Sequence, residues 1–139
     1  MTTTLGALRA PHTLISIIGA ASALGAPHAG SAVAPAALHG GALMHRLAAI
    51  GTSGEWTETL LPTAAEDAAG TPGAPAADRP SAPVSAAATA MATRIAANAA
   101  FAHRLADHIA ALPADSFPLV LGGDHAIAAG TWRGVGRRR

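Results

Sequence analysis

The chain has 139 residues, which suits one modest domain, and half of them are hydrophobic, although most of these are alanine. The net charge of +1 gives no electrostatic reason to expect binding to nucleic acid or to an anionic membrane. Cysteine is absent, which excludes disulfides, thiolate zinc sites and cysteine nucleophiles. Large apolar side chains are few, so the sequence predicts a core that buries little area per residue and a marginal stability.

The first structural element is predicted after residues 1–11, which we expect to be a disordered lead-in. Residues 14–18 are rich in β-branched side chains and precede a glycine, a pattern that predicts a central strand. A secretory signal peptide is the alternative, because Arg9 precedes an apolar run over residues 14–26 and residues 21–23 (Ala-Ser-Ala) offer a cleavage site. We favour the strand, and the run is too short to span a membrane.

A helix is predicted after a loop over residues 20–34. The loop lacks the Gly-x-Gly-x-x-Gly and Gly-Lys-Ser/Thr patterns, so phosphate binding is not supported. Pro35 suits the first turn of a helix, and Gly51 is a suitable terminator. The pattern predicts one helix over residues 35–50, whose apolar positions at helical spacing are Leu38, Ala42 or Leu43, Leu47 and Ile50.

A second, edge-like strand is predicted at residues 56–61, where large apolar and polar side chains alternate weakly. His28 follows the first strand, near the edge of the sheet where ligands bind in α/β proteins, yet a functional role is the less favoured interpretation for it. Four further histidines are interpreted as solvated residues without a functional role; these are His39, His45, His103 and His108.

Residues 62–83 are rich in Ala, Gly, Pro, Thr and Ser, which predicts an irregular linker. The clearest helix of the chain follows over residues 86–112, with Ser85 as its N-cap and Pro113 as its closing residue. One stripe of the helix recurs at steps of four and three residues, at Met91, Ile95, Asn98, Ala102, Leu105, Ile109 and Leu112. Its apolar face, formed by Met91, Ile95, Leu105 and Ile109, is expected to pack on the sheet.

The most informative stretch is residues 117–125, Phe-Pro-Leu-Val-Leu-Gly-Gly-Asp-His. Its apolar residues 119–121 predict a strand buried on both faces, and the two glycines let the backbone turn tightly. Asp124 and His125 then follow at the carboxyl end of the strand, where ligands bind in α/β sheets. Histidine is the commonest metal ligand, and a neighbouring carboxylate can hold a cation or orient the ring. The alternative is a histidine that is satisfied by a backbone carbonyl.

Residues 117–131 resemble the Gly-Gly-Asp-His signature of the arginase/agmatinase (ureohydrolase) family. The front half resembles the same family more diffusely, through the first strand, the glycine-containing loop and the helix that begins near Pro35. Ala34 stands where the family usually has glycine. The resemblance implies an α/β fold of three layers, α-β-α, with a mainly parallel sheet in which residues 14–18 and 119–121 form adjacent parallel strands.

The resemblance implies hydrolysis of a guanidino compound, with arginine giving ornithine and urea as the favoured reaction. In such enzymes two Mn²⁺ ions lower the pKa of a bridging water, and the resulting hydroxide attacks the guanidinium carbon. His125 corresponds to the first protein ligand of that metal centre, and Asp124 is expected to support it as a neighbouring carboxylate. A complete family member is expected to be a cytoplasmic homo-oligomer acting on a small guanidino substrate, with neither nucleic acid nor membrane as a partner.

Other parts of the family pattern are missing from the sequence. The family's remaining ligands come from an Asp-x-His-x-Asp stretch and a later Asp-x-Asp, and neither occurs among the 139 residues. We therefore expect a single, truncated arginase-like domain over residues 1–139, with His125 as its one metal ligand and no activity of its own. A frameshift or an incomplete gene model would produce such a chain. The alternative is a non-enzymatic, Ala-rich protein that could be secreted and whose Gly-Gly-Asp-His is accidental.

Overall fold

The computed structural model of the chain describes residues 14–70 and 84–138. The predicted lead-in and residues 71–83 of the predicted linker lie outside the described residues. The described part folds as parallel strands flanked by helices, which confirms the predicted α/β class.

The three described strands form one parallel sheet. The central strand is β1 (Ile15–Ala20), and β2 (Gly54–Leu60) and β3 (Phe117–Leu121) pair with it on either side. Ile17 of β1 lies opposite Leu119 of β3. The predicted parallel pairing of the first and third strands is confirmed. Residues 15–20 of the apolar run considered as part of a signal peptide form the central strand of the sheet.

Helices cover both faces of this sheet. They are α1 (Ala34–His39), α2 (Leu43–Ala49), α3 (Ala64–Gly70), α4 (Val84–Ala111) and α5 (Ile127–Gly136), and a 3₁₀ helix at Ala29–Val33 precedes the first of them. Ile18 and Ala20 of β1 belong to the main core, which α4 completes. Gly19 points the other way, against Pro35 of α1. The alternation of side chains along β1 therefore places a helical layer on each face of the sheet.

The central and edge strands differ in burial. Ser16 to Ala20 of β1 are all buried, as expected for a parallel strand covered on both faces. In β3 no residue is fully buried, and Phe117 is exposed, so the prediction that residues 119–121 are buried on both faces is wrong. The physical reason is that β3 pairs with β1 alone among the described strands, which leaves its other edge open.

A β-bulge in β2 explains the weak alternation of its sequence. Trp56 lies opposite Ile17, but the next residue of β1, Ile18, lies opposite Glu58, so Thr57 is the extra residue. The Thr57 hydroxyl donates to the Ile17 carbonyl of β1 at 2.8 Å. The bulge also turns Trp56 and Thr59 to the same face, where the indole N–H donates to the Thr59 hydroxyl at 3.0 Å.

The predicted helix over residues 35–50 is two helices, because Gly40 and Gly41 interrupt it between α1 and α2. Glycine destabilises the interior of a helix, because it loses more backbone conformational entropy on folding than other residues do. The predicted terminator is confirmed. Gly51 has a φ of +76°, its N–H donates to the Ala48 carbonyl, and the Thr52 N–H donates to the Leu47 carbonyl, which is a Schellman motif.

The predicted linker contains α3, so the prediction of irregular structure is wrong for this part of residues 62–83. Thr63 and Glu66 form a capping box, with each backbone N–H donating to the other side chain, at 2.7 and 3.2 Å. Arg104 of α4 binds the Glu66 carboxylate at 2.6 Å. Burial opposes ionisation of Glu66, but these hydrogen bonds and the charge of Arg104 outweigh it and lower the pKa of this carboxyl.

The predicted long helix is confirmed as α4, but the predicted packing holds for its second half alone. Leu105 and Ile109 are fully buried, whereas Met91 and Ile95 are 57% and 61% exposed. The 28-residue helix is about 42 Å long at 1.5 Å per residue, about twice the length of the strands, so its first half extends past the sheet. The core positions recur every four residues, at Ala97, Phe101, Leu105 and Ile109.

Two glycines allow α5 to pack closely on α4. A Cβ at Gly130 would lie 2.6 Å from the Ala102 carbonyl oxygen, and one at Gly134 would lie 2.6 Å from Ile109 Cβ. The arginines that follow α5 also bind α4 and its end. Arg137 pairs with Asp107, and the Arg138 guanidinium donates to three carbonyls, which belong to Ile109, Pro113 and Ser116.

Candidate functional site

The Gly-Gly pair that follows β3 turns the chain at the carboxyl edge of the sheet. Gly122 and Gly123 have φ values of +88° and +75°, a region that side chains other than glycine rarely adopt. A Cβ at Gly122 would collide with the ring of Pro35, and one at Gly123 would lie 2.7 Å from the Ala20 carbonyl oxygen. The backbone therefore passes directly over the ends of β1 and α1, as the predicted tight turn requires.

The loop after β1 and the turn after β3 meet at this edge. The Asp124 N–H donates to the Ser22 carbonyl at 3.1 Å, and the Gly123 N–H donates to the Ser31 carbonyl at 3.3 Å. The Asp124 carboxylate accepts the Gly25 N–H at 2.8 Å. The structure thus places the Gly-Gly-Asp-His turn beside the glycine-containing loop, on the edge of the sheet where the sequence predicted it.

His125 lies in the first turn of chain that leads into α5. Its carbonyl accepts the Ala128 N–H at 3.1 Å, and its side chain is exposed. Among the residues that the structure describes, none forms a hydrogen bond with its imidazole, so the alternative of a ring satisfied by a backbone carbonyl is not observed in this part of the chain. The residue is exposed to solvent, as a metal-binding role requires.

Asp124 forms no hydrogen bond with the imidazole that it was expected to support. Its Oδ2 atom accepts the Gly25 N–H at 2.8 Å, and its Oδ1 atom accepts the Ala126 N–H at 2.7 Å. The second bond is an Asx turn, a local arrangement that Asp favours and that the sequence could have indicated. The first bond joins residues 99 positions apart, and no local pattern announces it.

The other histidines lie elsewhere in the fold. His28 is exposed beside a cavity of about 170 Å³, which Leu24, Pro62 and Asp67 also line. This volume is below the roughly 300–1,000 Å³ of typical ligand pockets. Three further histidines agree with their interpretation as residues without a functional role. His39 stacks on Trp56, and His45 and His103 are exposed.

His108 is half-buried, which differs from the exposure expected for it. Its ring contacts the Glu58 carboxylate of β2, and this contact links α4 to the edge of the sheet. The β2 bulge causes the difference, because it turns Glu58 toward α4. The Glu58–His108 contact is a structural link between two elements and lies apart from the Gly-Gly-Asp-His turn.

The described residues do not form a manganese centre by themselves. In residues 14–70 and 84–138, no three His, Asp or Glu side chains come together in a way that could hold a metal ion. The one carboxylate beside His125 already accepts two backbone N–H groups. One exposed imidazole does not fit the needs of a two-metal site, whose ions require several ligands each.

None of the helices in residues 14–70 and 84–138 combines the length and the apolar character needed to cross a membrane. Among themselves they form the two layers of the α/β fold described above.

Comparison with known proteins adds a family assignment to this geometry. The model of the Arginase family matches residues 13–139. No curated protein and no solved structure matches the chain. The matched segment runs from the start of the described sheet to the end of the chain and includes the Gly-Gly-Asp-His turn at the carboxyl edge, and on this evidence the protein belongs to the arginase family.

Proposed function

We propose that the chain supplies the first part of the active site of a manganese-dependent ureohydrolase, with arginine as the favoured substrate and with ornithine and urea as products. Membership of the arginase family supports hydrolysis of a guanidino group. The observation that carries the proposal is the exposed imidazole of His125, which no described side chain engages, at the carboxyl edge of a parallel sheet.

His125 is the proposed metal ligand of this chain. A neutral imidazole is a good ligand for manganese when carboxylate oxygens complete the site. The described residues supply one such imidazole and no adjacent free carboxylate pair, so the remaining ligands of a working centre must come from outside them. The glycine turn before His125 and the start of α5 after it hold this residue at the edge of the sheet.

The proposal extends to the setting of the complete protein. A net charge near zero supports a small-molecule substrate rather than nucleic acid or an anionic membrane surface. Phe117 and Trp132 are 56% and 76% exposed, and apolar surface of this kind is what association of subunits buries. We propose a cytoplasmic homo-oligomer, which agrees with the use of residues 15–20 as a core strand.

A chimera tests this function directly. Residues 14–138 replace the matching segment of a complete arginase-family hydrolase, and urea release is measured with Mn²⁺ from arginine and from agmatine. We expect turnover on arginine, and loss of both turnover and bound manganese in the His125→Ala chimera. His45→Ala removes an exposed histidine of α2 and serves as the matched control, with both quantities unchanged.

Two results would contradict the proposal. Manganese content and turnover that survive His125→Ala would show that this histidine is not a ligand, and turnover on agmatine alone would show that arginine is the wrong substrate. The 139-residue chain by itself should release no measurable urea, because one imidazole cannot hold two metal ions. Metal-dependent urea release by that chain would show that the described residues do more than we assign to them.

A further inference from the structure

The described sheet has two outer edges, and their sequences differ. β2 carries Glu55 and Glu58, and the bulge at Thr57 interrupts its pairing. Bulges and charged side chains are two means by which proteins prevent an exposed edge from pairing with another chain. β3 has neither, because its sequence Phe-Pro-Leu-Val-Leu is uncharged and its register with β1 is regular. Among the described strands, the outer edge of β3 is therefore the one that can accept another strand.

The backbone of β3 determines which groups face this open side. The Phe117 N–H donates to the Leu14 carbonyl at 2.7 Å, so the odd-numbered residues of β3 direct their backbone groups toward β1. Because backbone groups alternate from side to side along a strand, Pro118 and Val120 direct theirs outward. Pro118 has no N–H and occupies the kind of position that proline tolerates in an edge strand. Val120 therefore offers both a donor and an acceptor on the open side, and Pro118 offers an acceptor.

A second copy of the chain complements this edge. A two-fold axis places identical strands antiparallel, and two Val120 residues opposite each other exchange both of their N–H···O bonds. The same register places the Pro118 carbonyl opposite the Gly122 N–H of the second copy, so the proline takes part as an acceptor. It also places Leu119 beside Leu121 of the second copy, and apolar cross-strand pairs of this kind stabilise a sheet.

Charge and closure favour this pairing over the other combinations of edges. Two β2 edges would bring Glu55 and Glu58 of both copies together, and like charges opposite each other across strands are destabilising. Pairing of β2 with β3 is head-to-tail, so it leaves a free edge on every copy, and the bulge at Thr57 opposes it. Pairing of β3 with β3 is closed by the two-fold axis and leaves the bulged, charged β2 edges outside.

The size of the contact determines the affinity that we expect. β3 has five residues, all of them half-buried except Phe117, which is 56% exposed. Two such edges bury less than the roughly 800 Å² per partner of a standard interface. Interfaces of standard size already extend to micromolar affinity, so we expect a reversible dimer with a dissociation constant in the micromolar range or weaker.

We propose that the open edge of β3 is a docking surface for a second copy of this chain, with the two strands antiparallel and Val120 at the two-fold axis. The three-stranded sheets of the two copies then form one continuous sheet. This dimer rests on the homo-oligomer of the proposed function, whose interface it names, and it involves neither metal nor substrate.

Cysteine cross-linking tests the register, because the chain contains no cysteine of its own. Single-cysteine variants of the full 139-residue chain are oxidised, and the rate of disulfide-linked dimer formation is measured. Directly opposite residues of an antiparallel pair have Cα atoms about 4.5–5.5 Å apart, a distance that a disulfide spans, whereas diagonal neighbours are about 7–8 Å apart.

We expect Val120→Cys to cross-link at least about tenfold faster than Leu119→Cys or Leu121→Cys, since each of these two lies diagonal to its own counterpart. A mixture of the Leu119→Cys and Leu121→Cys chains should cross-link as fast as Val120→Cys, because these two positions are opposite each other. The three variants therefore distinguish this register from any other pairing of the edges.

Sedimentation velocity measures the reversible dimer itself over a range of protein concentrations. Leu119→Lys places a charge on the edge and should raise the dissociation constant at least about tenfold, since edge lysines oppose strand pairing. Ile50→Lys is the matched control, because Ile50 is 75% exposed at the end of α2, away from β3, and this variant should keep the dissociation constant of the parent chain.

Three results would overturn this interface. Equal cross-linking at residues 119, 120 and 121 would show association without a defined register. A dimer in sedimentation that does not cross-link through Val120→Cys would leave the homo-oligomer standing and exclude β3 as its interface. A parent chain that stays monomeric at every concentration would contradict both the interface and the homo-oligomer, while urea release by the chimera would still decide the catalytic part of the proposed function.

Discussion

The buried face of the sheet and its carboxyl edge are held by different forces. On the buried face, Leu105 and Ile109 of α4 are fully enclosed between β1 and α5, and their contacts are apolar. At the carboxyl edge, Asp124 and the backbone form hydrogen bonds around an exposed His125. The apolar contacts that stabilise the fold lie on the buried face, whereas the candidate metal ligand lies at the carboxyl edge. Substitutions on the buried face should therefore change the free energy of unfolding, and substitution of His125 should change metal binding.

The largest effect is expected on the buried face. Leu105→Ala should lower the free energy of unfolding by about 3 kcal/mol, since removing a buried leucine side chain loses apolar contacts and leaves a cavity. Chemical denaturation of the chain measures this loss. Ile95→Ala on the same helix is the matched control, because Ile95 is 61% exposed, and it should cost less than about 1 kcal/mol. Equal losses would show that the first half of α4 is as buried as the second.

A smaller effect on stability is expected at the edge, where glycine is required by backbone geometry. Gly123→Ala should cost about 2 kcal/mol, since a residue with a side chain is strained at a φ of +75° and its Cβ would press on the Ala20 carbonyl. Gly30→Ala is the control, because no atom lies within 4 Å of a Cβ there. A Gly123→Ala chain as stable as the parent would mean that the turn relaxes freely.

The glycine turn and helix α4 show what the sequence could and could not predict. The glycine turn, the three strands and the long helix follow from local patterns, and each was predicted in the correct part of the chain. The predicted N-cap of the long helix is wrong, because α4 begins at Val84 and Ser85 lies within it. The exposure of Ile95 was not predictable, because helical periodicity identifies a face but not the length of sheet that the face meets. The bond from Asp124 to Gly25 spans 99 residues and depends on the finished fold.

Some misses had a local cause. The Thr63-x-x-Glu66 capping signature was present in the sequence, but the Ala, Gly and Pro content around it favoured a linker and concealed α3. The Thr57 bulge left only a weakened alternation in β2, and a weakened alternation does not tell which residue is the extra one. Gly40 and Gly41 were visible as helix breakers within a pattern whose apolar spacing continued across them.

A third prediction concerns Glu66, the one charged residue that is buried among residues 14–70 and 84–138. Because the pKa of Glu66 is lower in the folded chain than its ordinary value of 4.5, its contribution to stability is present above that value and is lost as the pH falls through the lower folded pKa. Glu66→Gln should cost about 1 kcal/mol at neutral pH and should flatten the loss of stability on acidification. Denaturation at several pH values measures both, and an unchanged acid limb in the variant would contradict this role for Glu66.

The measurement that tests the central claim most directly pairs stability with manganese binding in His125→Ala. Electron paramagnetic resonance gives the bound fraction of Mn²⁺ for the 139-residue chain, for His125→Ala and for His28→Ala, while denaturation gives the free energy of unfolding of each. We predict that His125→Ala lowers the weak manganese binding and changes stability by less than about 0.5 kcal/mol, as expected for an exposed side chain, whereas His28→Ala changes neither. Manganese binding that is unchanged in His125→Ala, or a large loss of stability in that variant, would contradict the separation of the carboxyl edge from the buried face.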